Sequence, residues 1–307
     1  MKCEYFDFTS TNGALIPAVI WQPEEVRAIL LVAHGTTEHI GRYESFAAAM
    51  ARYGVAVAGF DLRGHGHHPG DPRVAALRPG DWQASLEDLG ALYDHLGREF
   101  PGTPRFLLGF SLGSFLIRDL LNEGCRPDGT ILAGTGYQPR WLLSIMGRIV
   151  AGQVKKVGFD QSSALVHKLA FGVYNDKFKP TRTDVDWLST DEGAVDAYLA
   201  DPLTRRTVSA GLFRELLGSM ERNAVPRVYD RWDKEMPVLL ISGSEDPVGD
   251  AGKGVATVRR QMEQSGIRDV TMELIPGARH AILMGDDPDP MKIIGDWLAA
   301  RLGEGGR

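Results

Sequence analysis

The chain has 307 residues, 43% of them apolar and 24% charged, which suits one large α/β domain or two smaller ones. A net charge of −6 with no basic stripe argues against nucleic acid as a partner. The longest apolar runs, such as 28–33, span about six residues, far short of the ~20 that a membrane span needs.

The N-terminus lacks the apolar core of a signal peptide, and two cysteines, Cys3 and Cys125, make no disulfide framework. The expected location is the cytoplasm. Residues 4–9 and 14–21 read as two strands joined by a turn at Asn12-Gly13. Residues 28–33 are a third strand, apolar throughout, as when both faces are covered. It runs into His34-Gly35-Thr36-Thr37-Glu38-His39. A helix over 45–53, stopped by Gly54, leads to a buried strand at 55–60 and a polar loop, Asp61-Leu62-Arg63-Gly64-His65-Gly66. Asp81 is expected to cap an amphipathic helix carrying Trp82, Leu86, Leu89, Tyr93 and Leu96 at spacings of three and four. A strand at 105–108 precedes Gly109-Phe110-Ser111-Leu112-Gly113. A helix over 114–121, closed by Gly124, and a strand at 130–133 follow.

Strand and helix alternate, which predicts an α/β fold: a mostly parallel sheet with helices on both faces. From 137 to 235 the pattern changes to helical stretches, at 141–154, 163–171, 193–199 and 211–222, with no buried strand evident. Alternation returns with a strand at 238–241, a helix at 252–264, a strand at 270–275 and a last helix started by Asp289-Pro290. The expected organisation is a core of residues 1–136 and 236–307 interrupted by a helical cap, 137–235. That cap belongs over the carboxyl ends of the strands, where open α/β sheets bind ligands. The tail, 303–307, is expected to be disordered.

A bare G-x-S-x-G is weak in a chain with 36 glycines. Between a strand and a helix it becomes a nucleophile elbow, with Ser111 Oγ presented above the sheet. The Leu112 amide, at the helix N-terminus, then faces a developing oxyanion. A second amide is expected from Thr36. A nucleophilic serine needs a base, and the base an orienting acid. Two histidines lie downstream: His167, inside the helical insertion, and His280, in the loop after the 270–275 strand. Asp246 lies just past the 238–241 strand, with Glu245 as its neighbouring alternative. Separately, an Asp before Pro starts a turn and a loop His is a surface residue. In this order, each past its own strand, Ser111, Asp246 and His280 form a candidate triad.

Together these residues resemble the α/β-hydrolase fold, and within it the monoacylglycerol lipase and lysophospholipase group, classed with serine aminopeptidase-like hydrolases. The matches are His34-Gly35-x-x-Glu38-His39-x-Gly41-Arg42-Tyr43, Asp61-x-Arg63-Gly64-His65-Gly66, the elbow, Gly243-x-x-Asp246-Pro247 and Gly277-x-x-His280. Within the insertion, Phe171-Gly172-x-Tyr174-Asn175, Asp186-Trp187-Leu188-Ser189 and Asp201-Pro202-Leu203 resemble bacterial members. The resemblance implies a serine hydrolase whose cap binds a single acyl chain. Ser111 would attack, His280 would shuttle the proton and Asp246 would orient the ring. The chain departs from that pattern with Thr37 where the group usually has Gly, with His67-His68 after Gly66, and with Ala281 where an acidic residue usually follows the histidine.

The expected partner is a small-molecule acyl ester, either a monoacylglycerol or a lysophospholipid. A second reading is an aminopeptidase or amidase, for which Asp184, Asp186, Asp191 and Glu192 of the cap would hold a free amine. A third, a non-catalytic binding protein, is disfavoured by the complete triad. Residues 141–150 carry a wide apolar face of Trp141, Leu142, Ile145, Met146, Ile149 and Val150. Tyr137, Trp141, Ile145 and Ile149 are the candidates for an acyl wall. The same face, near Lys155 and Lys156, also suits transient contact with a membrane surface. No metal or cofactor is expected. His65, His67 and His68 lack ligand-spaced partners, Asp286, Asp287 and Asp289 lack a calcium loop, and no phosphate-binding glycine loop is present.

Overall fold

Runs rich in Val, Ile, Leu and Ala form the strands, and turns rich in Gly, Pro and Asp separate them. In the computed structural model, which describes residues 1–205, 207–285 and 289–302, one eight-stranded sheet organises the chain. Its strands are β1 (Lys2–Thr9), β2 (Leu15–Gln22), β3 (Ala28–Ala33), β4 (Val55–Phe60), β6 (Arg105–Phe110), β7 (Gly129–Ala133), β9 (Val238–Gly243) and β10 (Val270–Ile275). A separate pair holds β5 (Val74–Ala75) and β8 (Thr207–Val208). The main order is β1-β2-β4-β3-β6-β7-β9-β10. The pairs β1–β2 and β2–β4 are antiparallel and the remaining pairs parallel. β3, β4, β7 and β9 are buried along their whole length, the mark of strands covered on both faces.

Helices α1 (Glu44–Ala51), α2 (Asp81–Glu99) and α3 (Leu112–Asn122) follow β3, the β5 loop and β6. α2 buries Trp82, Leu86, Leu89, Tyr93 and Leu96, the stripe that its spacing predicts. Gly80, at φ 91°, takes the cap position instead of Asp81. Asp81 is the first helical residue, and its carboxylate accepts the Arg78 amide at 2.7 Å.

Between β7 and β9 come α4 (Arg140–Val157), α5 (Ala164–His167), a π-helical turn (Lys168–Gly172), α6 (Val173–Asn175), α7 (Glu192–Ala200) and α8 (Ala210–Asn223). Two details depart from the sequence reading. The single helix expected over 163–171 is capped by Ser163 Oγ, which accepts the Val166 amide, and passes into a π turn at Lys168. The stretch also carries a strand: β8 pairs in parallel with β5, joining the insertion to the loop after β4. Two residues are too few to show a period of two. α4 packs on α8, and α8 on α3. α9 (Lys253–Gln264) and α10 (Asp289–Arg301) complete the chain. Among the described residues no helix is long and apolar enough to cross a membrane. The expectations for Asp286, Asp287 and the 303–307 tail lie outside the described residues.

Candidate active site

The elbow is where sequence and geometry meet most tightly. β6 enters it and α3 leaves it with Ser111 at φ 50°, ψ −114°. That is a left-handed conformation costing a non-glycine residue about 1–3 kcal/mol. The Ser111 amide donates to the Ala133 carbonyl at 2.9 Å, and Ser114 Oγ donates to the Ser111 carbonyl at 2.6 Å. The flanking glycines are dictated by space. A Cβ at Gly113 would sit 1.9 Å from the Ala33 carbonyl oxygen, and one at Gly109 2.4 Å from the Gly113 oxygen.

His280 and Asp246 arrive from the loops after β10 and β9, which lie side by side. His280 Nε2 is 2.9 Å from Ser111 Oγ, and His280 Nδ1 is 2.9 Å from Asp246 Oδ2. A carboxylate only accepts, so Nδ1 carries the proton and Nε2 presents its lone pair to the serine hydroxyl. Asp246 is fully buried, and two further donors complete its shell: Ser242 Oγ at 2.9 Å and the Val248 amide at 2.8 Å. The neighbouring Glu245 makes no such bridge; its amide donates to the Ala278 carbonyl. His167 instead meets Thr207 Oγ1 at 3.0 Å, within the insertion.

Thr36 and Leu112 both line the cavity beside Ser111. The loop bearing Thr36 is fixed by buried polar groups. The Gly35 amide and the Tyr43 hydroxyl donate to Glu38 Oε1 at 2.6 and 2.9 Å. Burial first, then the Glu38 charge, pushes the Tyr43 phenol well above its ordinary range, so it remains a donor. The Leu62 amide donates to His34 Nε2 at 2.9 Å, leaving His34 Nδ1–H for the Gly35 carbonyl at 2.8 Å. The histidines of the next loop are engaged by the protein's own oxygens. His65 Nδ1 lies 2.9 Å from the Arg63 carbonyl and His68 Nε2 3.0 Å from that of Asp61. Burial lowers His65 to about 3, so that ring is neutral. Burial raises the Asp61 carboxyl, but the amides of His67 and Ile40, which donate to it at 2.9 Å, work against burial, and the group is held at about 2.

A cavity of about 240 Å³ opens above Ser111. Its apolar wall includes Leu142, Met146, Leu169, Phe213, Leu216 and Met220, all from the helical insertion. Three of the expected wall residues do not reach it. Trp141, Ile145 and Ile149 are 67%, 48% and 41% exposed on the outer side of α4. At ~100° per residue, positions 141, 145 and 149 share one stripe. Leu142 and Met146, one residue on, face the cavity, while Leu143 and Val150 are buried. Tyr137 packs half-buried against the core, and its neighbour Gln138 lines the cavity instead.

The sequence reading assigned no role to two aromatic neighbours of His280. The Phe110 ring lies 5.0 Å from the imidazole and the Trp187 ring 5.2 Å, at interplanar angles of 35° and 31°. Phe110 occupies the variable position of the elbow. Trp187 comes from the insertion, inside a motif already noted, yet nothing in its local pattern points to His280. The Ala281 amide donates to the Leu188 carbonyl at 2.7 Å, so the histidine loop is tied to the insertion by backbone.

A mostly parallel sheet with a serine elbow after one strand, and its aspartate and histidine after later ones, defines an α/β-hydrolase. Over 99% of both chains it superposes with a TM-score of 0.84 on a thermostable carboxyl esterase from Bacillus coagulans, at 24% identity. Residues 24–287 match the family described as serine aminopeptidase, S33, and the chain belongs to that family. It is 31% identical over 275 residues to monoglyceride lipase from Homo sapiens, covering 89% of this chain and 82% of that one. It is 27% identical over 307 residues to monoacylglycerol lipase from Mycolicibacterium smegmatis, covering 96% of each.

Proposed function

We infer that the protein is a serine carboxylic-ester hydrolase acting on monoacylglycerol-like esters. The observation that carries this reading is the Ser111–His280–Asp246 hydrogen-bonded chain opening on an apolar cavity. Ser111 Oγ attacks the ester carbonyl carbon while His280 Nε2 takes its proton. The oxyanion forms toward the Thr36 and Leu112 amides. The bond to the alcohol oxygen then breaks, and His280 protonates the departing alkoxide. Water, deprotonated by the same ring, attacks the acyl-enzyme and releases the acid and the free serine. Residues 137–235 act as the cap that walls the acyl site.

The polar lining favours a neutral glycerol ester. Among the described lining residues Glu38 is the one carboxylate, and it is committed to Gly35 and Tyr43. An aminopeptidase needs a free carboxylate for the amine. Asp186 is instead engaged by Thr183 and the Arg182 amide, and Asp191 caps α7. A lysophospholipid phosphate would want an available cation, whereas Arg42 lies 3.6 Å from Glu38 and 3.9 Å from Asp201. The cytoplasmic reading rests on the two unpaired thiols.

Rates on p-nitrophenyl esters of rising chain length, beside monoacylglycerol, lysophospholipid and aminoacyl anilides, test the substrate class. Two added methylenes should raise kcat/KM by up to about tenfold until the cavity ends, at roughly 0.8 kcal/mol for each buried methylene. Faster cleavage of the anilides would reverse the assignment.

The exposed stripe of Trp141, Ile145 and Ile149, with Arg140, Arg148, Lys155 and Lys156 on the same helix, suits an anionic lipid surface. Ile145→Glu should weaken co-sedimentation with anionic vesicles and leave soluble acetate esters unaffected. Met146→Glu should cut long-chain hydrolysis and spare acetate esters. If the two variants exchange phenotypes, the inner and outer faces of α4 have been assigned the wrong way round.

A further inference from the structure

The loop that carries the Thr36 amide is held from two sides, and one of them is the helical insertion. Thr37, 6% exposed, stands at φ 65°. A β-branched residue is rarely left there without external support. On the core side Glu38 grips the loop through the Gly35 amide. On the other side, Tyr198 of α7 places its hydroxyl 2.8 Å from Thr37 Oγ1 and 3.2 Å from the Arg205 carbonyl oxygen. The Arg205 amide donates to the Thr37 carbonyl at 2.8 Å. Thr37 Oγ1 also reaches the Thr36 carbonyl at 2.5 Å. Two hydroxyl protons serve these three contacts, and Thr37 and Tyr198 are bonded when either hydroxyl turns its proton toward the other oxygen, 2.8 Å away.

This corner of the insertion is itself sewn to the core. Arg205 donates from its guanidinium to the Gly66 and His68 carbonyls at 2.6 and 3.1 Å. Asp201 Oδ2 lies 2.7 Å from His39 Nε2. The β5–β8 pair begins two residues beyond Arg205. Tyr198 is therefore anchored independently of Thr37 and can transmit that anchoring to it.

We propose that Tyr198 is a positioning residue for the oxyanion site: its hydroxyl keeps Thr37 in the left-handed conformation that aims the preceding Thr36 amide at Ser111. The inference rests on the esterase reading and deepens it, since it makes the insertion part of the machinery for the charged intermediate as well as a wall for the acyl chain. A glycine at position 37 adopts φ 65° without support, so it should make the Tyr198 hydroxyl dispensable.

The experiment is a double-variant cycle. Tyr198→Phe should lower kcat on acetate and longer esters alike by about tenfold or more, with little change in KM, as expected for a displaced oxyanion donor. Thr37→Val, which keeps the shape and removes the hydroxyl, should lose a similar factor. In a Thr37→Gly background the Tyr198→Phe loss should shrink to less than about twofold. Thr37→Val read against Thr37→Gly decides the matter if Tyr198→Phe does not fold. An equal loss in both backgrounds, or a loss confined to KM for long-chain esters, would make Tyr198 a wall residue and overturn the proposal. The rate of covalent labelling by a fluorophosphonate is read on the same variants. Wild-type protein that labels but cleaves no ester would overturn the substrate reading, and the labelling rates would still decide the role of Tyr198.

Discussion

Ser111→Ala is expected to lower ester hydrolysis by several orders of magnitude while the protein stays folded. The change removes one oxygen from a turn whose path is set by Gly109, Gly113 and the Ser111–Ala133 backbone bond, none of which it touches. On the proposed mechanism the change removes the nucleophile, and with it the whole covalent route, which leaves His280 and Asp246 no hydroxyl to activate. Asp246→Asn should be nearly as severe. An amide in place of the carboxylate favours the tautomer with the proton on His280 Nε2, which cannot accept the serine proton. Initial rates on a soluble ester, beside circular dichroism and melting temperature, check both. If Ser111→Ala keeps even a tenth of the rate, Ser111 is not the nucleophile. If Asp246→Asn keeps full activity, the orienting role belongs to another residue.

The second large effect is on stability. Gly113→Ala should destabilise the fold by about 3 kcal/mol or more. The new Cβ would lie 1.9 Å from the Ala33 oxygen, 2.6 Å from the Ala33 carbon and 2.8 Å from the His34 oxygen. All three are backbone atoms at the buried end of β3, so no side chain can swing away, and relief requires moving α3 or breaking the β3–β6 ladder. For a chain of this size the melting temperature should fall by about 5 °C or more. Gly152→Ala is the matched control. A Cβ there meets nothing within 4 Å, and the residue sits inside α4. The same chemical change should then raise stability by roughly 0.5–1 kcal/mol, because alanine loses less backbone entropy in a helix. Equal thermal stability of the two variants would mean that the elbow yields more easily than its geometry implies.

Much of this protein could be read from the chain alone. The apolar runs of β3, β4, β6, β7 and β9 and the glycine-rich loops after them are local signals, because a strand covered on both faces needs no partner to reveal itself. Ser111, Asp246 and His280 were legible for the same reason: each stands just past its own strand, and the parallel sheet brings such strand ends together. Tertiary structure decided which side of α4 faces the cavity. Its apolar circumference is so wide that a period of 3.6 does not choose, and packing against α8 turns Leu142 and Met146 inward and Trp141, Ile145 and Ile149 outward. The neighbours that the insertion brings to the site were beyond the sequence as well. Trp187 meets His280 across 93 positions and Tyr198 meets Thr37 across 161. Such contacts leave no local periodicity, because the path of the folded insertion, rather than any property of the residues beside them, makes them neighbours.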